Sequence, residues 1–266
     1  MSQTGQTQAG ETRAGQLQAG QTRAGRIHAL DLARGLALIA MAVFHFSYDL
    51  EMFGQIAPGT IGSPAWRLFA ECIAGSFLFV SGISLWLAHG RGVRVRAFVK
   101  RLGVIVAAAL LVTLATFFAA RGAFIFFGIL HVMALASVVG VLVLRWPALV
   151  IALLAAGFWF AGPYLSAPMF DHPVWWWTGL STVQPVTLDY EPVFPWLGPY
   201  LAGLAVAKFA ARFDLWQRLR STEPPGRSVR VLGWPGRHSL SFYLLHQPIL
   251  ISLLWLFLWV RGVFGG

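Results

Sequence analysis

Charged residues are scarce in this sequence of 266 residues. They make up 11% of the chain, with 20 Lys and Arg against 10 Asp and Glu, whereas apolar residues make up 57%. A soluble domain carries about 25% charged residues, so this composition excludes an ordinary soluble protein. It predicts an all-α polytopic membrane protein, a bundle of transmembrane helices with the lipid bilayer as its surroundings.

Other features are missing too. The single cysteine, Cys72, excludes an intramolecular disulfide. The chain lacks a Walker loop, a GxSxG elbow and a CxxC pair. The net charge of +10 does not indicate a nucleic-acid partner, because the basic residues lie in short loops between apolar segments and no nucleic-acid motif accompanies them. No metal site is predicted, since zinc needs three or four converging ligands and the histidines occur singly.

Seven apolar segments are candidate membrane spans, since about 20 apolar residues cross the hydrocarbon layer. The fifth is weakened by Pro163 and the sixth is short. Basic residues concentrate in loops 89–101 and 208–238, and such loops stay in the cytoplasm. This predicts a cytoplasmic N-terminus and a multi-pass protein of the inner (plasma) membrane. The seven segments are 29–48, 66–88, 98–119, 123–144, 147–165, 195–212 and 239–260.

Residues 1–25 differ from the rest of the chain. They are polar and repeat the five-residue units GQTQA, GETRA, GQLQA and GQTRA. Such a tract lacks the apolar residues needed for a core. We predict a disordered, low-complexity cytoplasmic tail over 1–25 and a single transmembrane domain over 26–266.

The first span carries four ionisable side chains, Asp31, Arg34, His45 and Asp49. At about 100° per residue they share one stripe of the helix, and a polar stripe on a membrane helix faces the protein interior or a watery cavity. The face predicted to contact lipid contains Leu36, Ala40 and Val43. For Asp31 and Arg34, an i,i+3 ion pair is the structural alternative. For His45 and Asp49, an acid–base pair competes with a salt bridge at the helix end.

Two more histidines lie within spans, His131 in the fourth and His246 in the seventh. Residue counting places Arg34 and His246 toward the cytoplasm, and His45 and Asp49 toward the outer face. Facing one cavity, these side chains would form a polar line across the membrane. Three alternatives remain: structural hydrogen bonds between helices, a transporter or channel lined by Arg and His, and a haem or quinone module. The absence of internal repeats weighs against the transporter.

The loop 163–194 is the longest segment predicted to face outward, and it contains Trp175, Trp176 and Trp177. Three adjacent tryptophans are typical of an interfacial aromatic belt. A stacking surface for a sugar is the functional alternative.

The pattern R-x-x-x-L-D-x-x-R-G followed by His45 resembles the opening signature of the transmembrane acyltransferases. Four further segments make the sequence similar to the heparan-alpha-glucosaminide N-acetyltransferase catalytic-domain family in its small bacterial form. They are FLFVSGISL (77–85), FFGILHVMAL (126–135), DYEPVFPWLG (189–198) and GRHSLSFYLLHQP (236–248).

The resemblance implies an acyltransferase that moves an acetyl group from cytoplasmic acetyl-CoA to an amino sugar or other glycan acceptor on the outer face. It implies that His45 is the catalytic histidine, which Asp49 would orient. Asp31, Arg34, His131 and His246 would then serve the donor, and a homodimer is possible. One departure is visible: the eukaryotic members place their catalytic histidine in an outer loop, whereas His45 lies within the first span.

Overall fold

A computed structural model describes residues 27–220 and 226–264 of the chain, and the predicted tail over 1–25 lies outside them. The regular elements of the described residues are helices, apart from one backbone bridge between Phe127 and Tyr190. The seven longest helices are α1 His28–Met52, α2 Pro64–His89, α3 Val95–Ala119, α4 Ile129–Leu142, α5 Ala148–Phe160, α6 Val193–Ala210 and α7 Ser239–Phe264.

Each of the seven predicted spans overlaps one of these helices, which confirms the all-α class. Five of them, α1, α2, α3, α6 and α7, are long and apolar enough to cross a membrane. The other two, α4 and α5, have 14 and 13 residues, a length of about 20 Å, whereas the hydrocarbon layer is about 30 Å thick. The protein is therefore a multi-pass membrane protein, and a count of seven complete spans stays a prediction.

Consecutive long helices run up and down, so the basic loops meet at one end of the bundle. We call this the arginine-rich end; it holds the start of α1, the α2–α3 loop, the α4–α5 loop and the segment 211–238. At this end Lys208 links α6 to the α4–α5 loop. Its Nζ donates to the carbonyl oxygens of Leu144 at 2.9 Å and Trp146 at 2.5 Å, just beyond the end of α4. The assignment of this end to the cytoplasm stays a prediction.

The core lies between α2, α4, α5 and α6, and α6 is its most buried helix. Glycines bring α2 and α6 into backbone contact: a Cβ on Gly82 would collide with the carbonyl of Tyr200, and one on Gly203 with that of Phe79. Small residues at such crossings are typical of packing between membrane helices.

Helix α1 packs between α2, α7 and the short helices Arg227–Leu232 and Trp234–Arg237. The short helices lie against its first two turns, where a Cβ on Gly35 would collide with the Leu232 carbonyl and one on Gly236 with the Asp31 carbonyl. The predicted stripe of α1 is largely confirmed, since Asp31 and Asp49 are buried while Leu36 and Val43 are exposed. Ala40 was assigned to the lipid face wrongly, because it packs against the core.

Candidate active site

Two of the predicted histidines meet across the α1–α7 contact. The ring centroids of His45 and His246 are 5.0 Å apart, with the rings inclined at 61°. The prediction that they lie at different depths is therefore wrong. Helix α7 starts beside Asp31 and Gly35, already one turn into α1, so ten residues beyond Gly236 bring His246 level with His45.

The hydrogen bond of His246 defines its neutral tautomer. Its Nδ1 lies 2.7 Å from the carbonyl oxygen of Tyr243, one turn earlier on α7. A carbonyl only accepts, so Nδ1 carries the hydrogen and Nε2 keeps a lone pair. The ring also stacks on Phe242 with an interplanar angle of 3°. The result is a buried imidazole in a fixed orientation with a basic nitrogen available.

Asp49 receives its hydrogen bond from α7. Gln247 Nε2 donates to Asp49 Oδ1 at 2.8 Å, and the carboxylate of Asp49 is completely buried. Asp49 was predicted to orient the ring of His45, but among the described residues neither ring nitrogen of His45 makes a hydrogen bond with it or with any other group. Gln247 thus holds the carboxyl group of Asp49 in place, one turn from His45.

Three polar atoms of this cluster are buried without a hydrogen-bond partner among the described residues. They are Asp49 Oδ2, His246 Nε2 and Gln247 Oε1. Each such atom lowers the stability of the folded protein by about 1–3 kcal/mol if no donor or acceptor pairs with it. Two acceptor oxygens and one basic nitrogen in one place suit a ligand that brings hydrogen-bond donors, such as an amine, a hydroxyl or water. We call His45, Asp49, His246 and Gln247 the histidine cluster.

Asp31 and Arg34 form the predicted i,i+3 ion pair, with Arg34 Nη1 3.8 Å from Asp31 Oδ1. Arg34 also donates to the hydroxyl of Ser84 on α2. The structural alternative for this pair is therefore correct, but it does not exhaust the role of Arg34, whose side chain also lines a cavity.

This cavity has a volume of about 630 Å³ and lies among α1, α2, α3, α4 and α7. Its apolar walls include Met41, Phe77 and Met133, and among the described residues its charged lining is entirely cationic. Tyr243 also lines it, and the Tyr243 carbonyl accepts the hydrogen bond of His246. The cavity and the histidine cluster therefore share one turn of α7. The cationic residues of this cavity, which we call the cationic cavity, are Arg34, Lys100, Arg101 and Arg237.

His131 occupies a different environment from the one predicted. Its Nδ1 accepts from the backbone N–H of Gly128 at 3.2 Å, and its Nε2 lies 3.2 Å from the hydroxyl of Thr113. That hydroxyl donates to the carbonyl of Ile125 at 2.7 Å, so Nε2 carries the hydrogen and donates to Thr113. Both nitrogens are occupied, as in a side chain that caps the start of α4. The predicted polar line is broken at this histidine.

An acidic group lies at the end of the bundle opposite the arginines. Asp189 Oδ2 accepts from the backbone N–H of Ile129 at 3.1 Å, at the start of α4. Burial raises the pKa of Asp189 to about 6, although this hydrogen bond opposes the change. Burial also raises the pKa of Glu191 well above its usual value, reinforced by the charges of Asp189 and Glu71. Glu191 Oε2 is buried and has no hydrogen-bond partner within the part of the chain that the structure describes.

The tryptophan triplet is divided between two environments. Trp176 is anchored, since its Nε1 donates to the carbonyl of Asp171 at 2.9 Å and its own carbonyl accepts from the hydroxyl of Tyr190 at 2.6 Å. Trp175 and Trp177 are exposed. This arrangement fits an aromatic belt and also leaves two indole rings at the surface for stacking.

Sequence reasoning missed two members of the site. Gln247 could have been predicted more easily than Tyr243. It is an amide beside a histidine in an apolar helix, and polar side chains in membrane helices often mark functional sites. Tyr243 gave no such signal, since its contribution is a backbone carbonyl. Glu71 was also missed; it is an exposed carboxylate on a membrane helix, and it acts electrostatically on Glu191.

Comparison with curated proteins and with solved structures returned no significant match. The family model described as heparan-alpha-glucosaminide N-acetyltransferase, catalytic, matches residues 26–248, well over half of the chain. The matched range contains α1 to α6, the cationic cavity and all members of the histidine cluster. The chain therefore belongs to the heparan-alpha-glucosaminide N-acetyltransferase catalytic family, a family of membrane acetyltransferases that use acetyl-CoA.

Proposed function

We propose that the protein transfers an acetyl group from acetyl-CoA, bound at the arginine-rich end, to an amino sugar or other glycan acceptor that approaches from the opposite end. The arginine-rich end would face the cytoplasm and the acceptor the outer side of the inner membrane, as the positive-inside pattern predicts. The observation that carries the proposal is the shared turn of α7, which joins the cationic cavity to the histidine cluster through Tyr243.

The cationic cavity suits the donor. Acetyl-CoA carries phosphates at one end and a thin, mostly uncharged arm at the other. Lys100, Arg101 and Arg237 supply positive charge for the phosphates, and Arg34 lies deeper, paired with Asp31. The apolar walls formed by Met41, Phe77 and Met133 suit the arm. A volume of about 630 Å³ falls within the range of roughly 300–1,000 Å³ that ligand pockets occupy.

The histidine cluster suits the transfer itself. The acceptor nitrogen attacks the thioester carbonyl, so that a C–N bond forms while the C–S bond breaks. His45 takes the proton from the acceptor and returns it to the leaving thiolate. In this proposal the carboxylate of Asp49 stabilises the imidazolium form of His45. His246 Nε2, which has no partner among the described residues, accepts a hydrogen bond from the acceptor. An acetyl-histidine intermediate on His45 would conserve atoms equally well.

The acidic end suits an amine acceptor. Asp189 and Glu71 act electrostatically on Glu191, and a protonated amino group placed beside these carboxyl groups would favour their ionised forms. The exposed rings of Trp175 and Trp177 add stacking surfaces of the kind that sugars use. The family name specifies an amino-sugar acceptor, and we extend that substrate class to this chain.

The test uses the full-length protein purified in detergent. Labelled acetyl-CoA should bind saturably, and incubation with glucosamine should yield N-acetylglucosamine detectable by mass spectrometry. Lys100→Gln with Arg101→Gln should weaken donor binding by about tenfold or more, because two phosphate contacts are lost. The matched control is Arg91→Gln with Arg96→Gln, which removes two exposed charges outside the cavity and should change binding by less than about threefold.

Three results would contradict the proposal. Failure to bind acetyl-CoA at millimolar concentration would show that acetyl-CoA is not the donor. Flux of a solute through proteoliposomes without acetyl-CoA turnover would favour the transporter alternative. Full transfer to glucosamine by the Lys100→Gln, Arg101→Gln variant with unchanged donor affinity would locate the donor elsewhere.

A further inference from the structure

A second cavity opens at the arginine-rich end, outside the histidine cluster. Its volume is about 690 Å³. It lies between α1, α7 and the segment 227–237, and we call it the interfacial groove. The residues that define it are Ile39, Arg227, Arg230, Leu232, Trp234 and Phe242.

The groove combines a cationic rim with an apolar wall. Arg227 and Arg230 lie exposed at its rim, and Arg237 completes the set. Ile39 and Phe242 belong to membrane helices, so the wall continues from the rim along the bundle. Among the residues that the structure describes, no carboxylate lines the groove. A ligand that matches both features carries negative charge at one end and a hydrocarbon chain at the other.

The segment that forms the rim has the pattern of an interfacial helix. Val231, Leu232 and Trp234 are all exposed, although they follow or alternate with arginines. Apolar side chains left exposed beside cationic ones are typical of a segment at the boundary between headgroups and acyl chains. Basic pockets between membrane helices on the side of the positive loops bind anionic headgroups. The position, charge and shape of the groove thus agree on one class of ligand.

We propose that the interfacial groove binds an anionic phospholipid, with its headgroup phosphate on Arg227, Arg230 and Arg237 and one acyl chain along Ile39 and Phe242. The lipid site does not rest on the proposed acetyl transfer, and the only described residue that the two cavities share is Arg237. It has a consequence for the rest of the molecule, because Arg237 also lines the cationic cavity and the rim segment packs on α1 beside Asp31 and Gly35. A bound lipid therefore holds the segment that closes one side of that cavity.

Delipidated full-length protein in detergent tests the proposal by native mass spectrometry. Phosphatidylglycerol should bind in preference to phosphatidylcholine with the same acyl chains, and glycerol phosphate alone should bind far more weakly. Arg227→Gln with Arg230→Gln should reduce phosphatidylglycerol affinity on the order of thirtyfold, because each cation contributes to the attraction. Arg227→Lys with Arg230→Lys keeps both charges and should keep most of the affinity.

The control, Arg91→Gln with Arg96→Gln, removes two exposed charges from the same end outside the groove. Equal losses in this control and in the groove variant would show a general charge effect and overturn the site. Equal binding of the two lipids would also overturn it, because the headgroup charge would not be recognised. Stoichiometric displacement of phosphatidylglycerol by acetyl-CoA would make the groove an extension of the donor site. Each outcome is read without measuring acetyl transfer, so failure of the lipid site is distinguishable from failure of the proposed function.

Discussion

The histidine cluster and the surroundings of His131 both have histidine on an apolar helix, but they differ in how fully their hydrogen bonds are satisfied. Around His131, both ring nitrogens have partners, and the hydroxyl of Thr113 has one as well. In the histidine cluster, Asp49, His246 and Gln247 each have one buried atom that finds no partner in residues 27–220 and 226–264. A histidine whose hydrogen bonds are complete stabilises the fold, whereas incomplete ones mark a place prepared for a ligand.

The difference has an energetic side. Each unpaired buried polar group lowers the free energy of unfolding by about 1–3 kcal/mol. Three such groups in one cluster therefore destabilise the fold, and a structural role does not explain them. Proteins commonly break a local rule of this kind at functional sites. The comparison therefore supports the proposal that the chemistry takes place between α1 and α7, whereas His131 caps the start of α4.

The largest effect is expected from His45→Ala. Loss of a general base lowers kcat by about 100-fold or more, and steady-state acetyl transfer by purified protein measures it. The thermal unfolding temperature should change little, since His45 makes no hydrogen bond among the described residues. His238→Ala, at an exposed histidine, is the matched control. Full activity in purified His45→Ala protein would remove the assigned role.

A smaller effect is expected from Gln247→Ala. Asp49 Oδ1 would lose the amide at 2.8 Å, and a carboxylate that is free to turn stabilises the imidazolium of His45 less well. We expect kcat to fall by about tenfold, while the affinity for acetyl-CoA stays within about twofold. A fall in donor affinity without a change in kcat would show that Gln247 serves the donor site instead.

Much of this arrangement could be predicted from the sequence. Periodicity placed Asp31, Arg34, His45 and Asp49 on one buried stripe, and their cost in lipid indicated function. The contact between Asp49 and Gln247 could not be predicted, because it joins residues 198 positions apart and depends on where α7 begins beside α1. The role of His131 was hidden for a similar reason, since its partners come from a turn and from a neighbouring helix.

A loss of stability without loss of chemistry is expected from Thr113→Val, which leaves His131 Nε2 without its partner. The donor is partly buried, so leaving it unsatisfied should cost at most about 1–3 kcal/mol, and the thermal unfolding temperature in detergent should fall. The kcat of the folded fraction should match that of the wild type, in contrast to His45→Ala. A reduced kcat at an unchanged unfolding temperature would indicate that His131 takes part in catalysis. The contrast between His131 and the histidine cluster would then be wrong.

The smallest effect concerns pH and the support of α4 by Asp189. Its pKa is about 6 in the folded protein and 3.8 in the unfolded chain, so between these values the folded state holds a proton that the unfolded chain has lost. Stability from this group is complete below pH 3.8 and declines as pH rises through 6. Asp189→Asn keeps an acceptor for the N–H of Ile129 but removes the titration. The decline in unfolding free energy between pH 4 and 7 should therefore be smaller in this variant than in the wild type, with Glu191 responsible for the remainder. An unchanged decline in this variant would show that Asp189 ionises normally and that its hydrogen bond, rather than its burial, dominates.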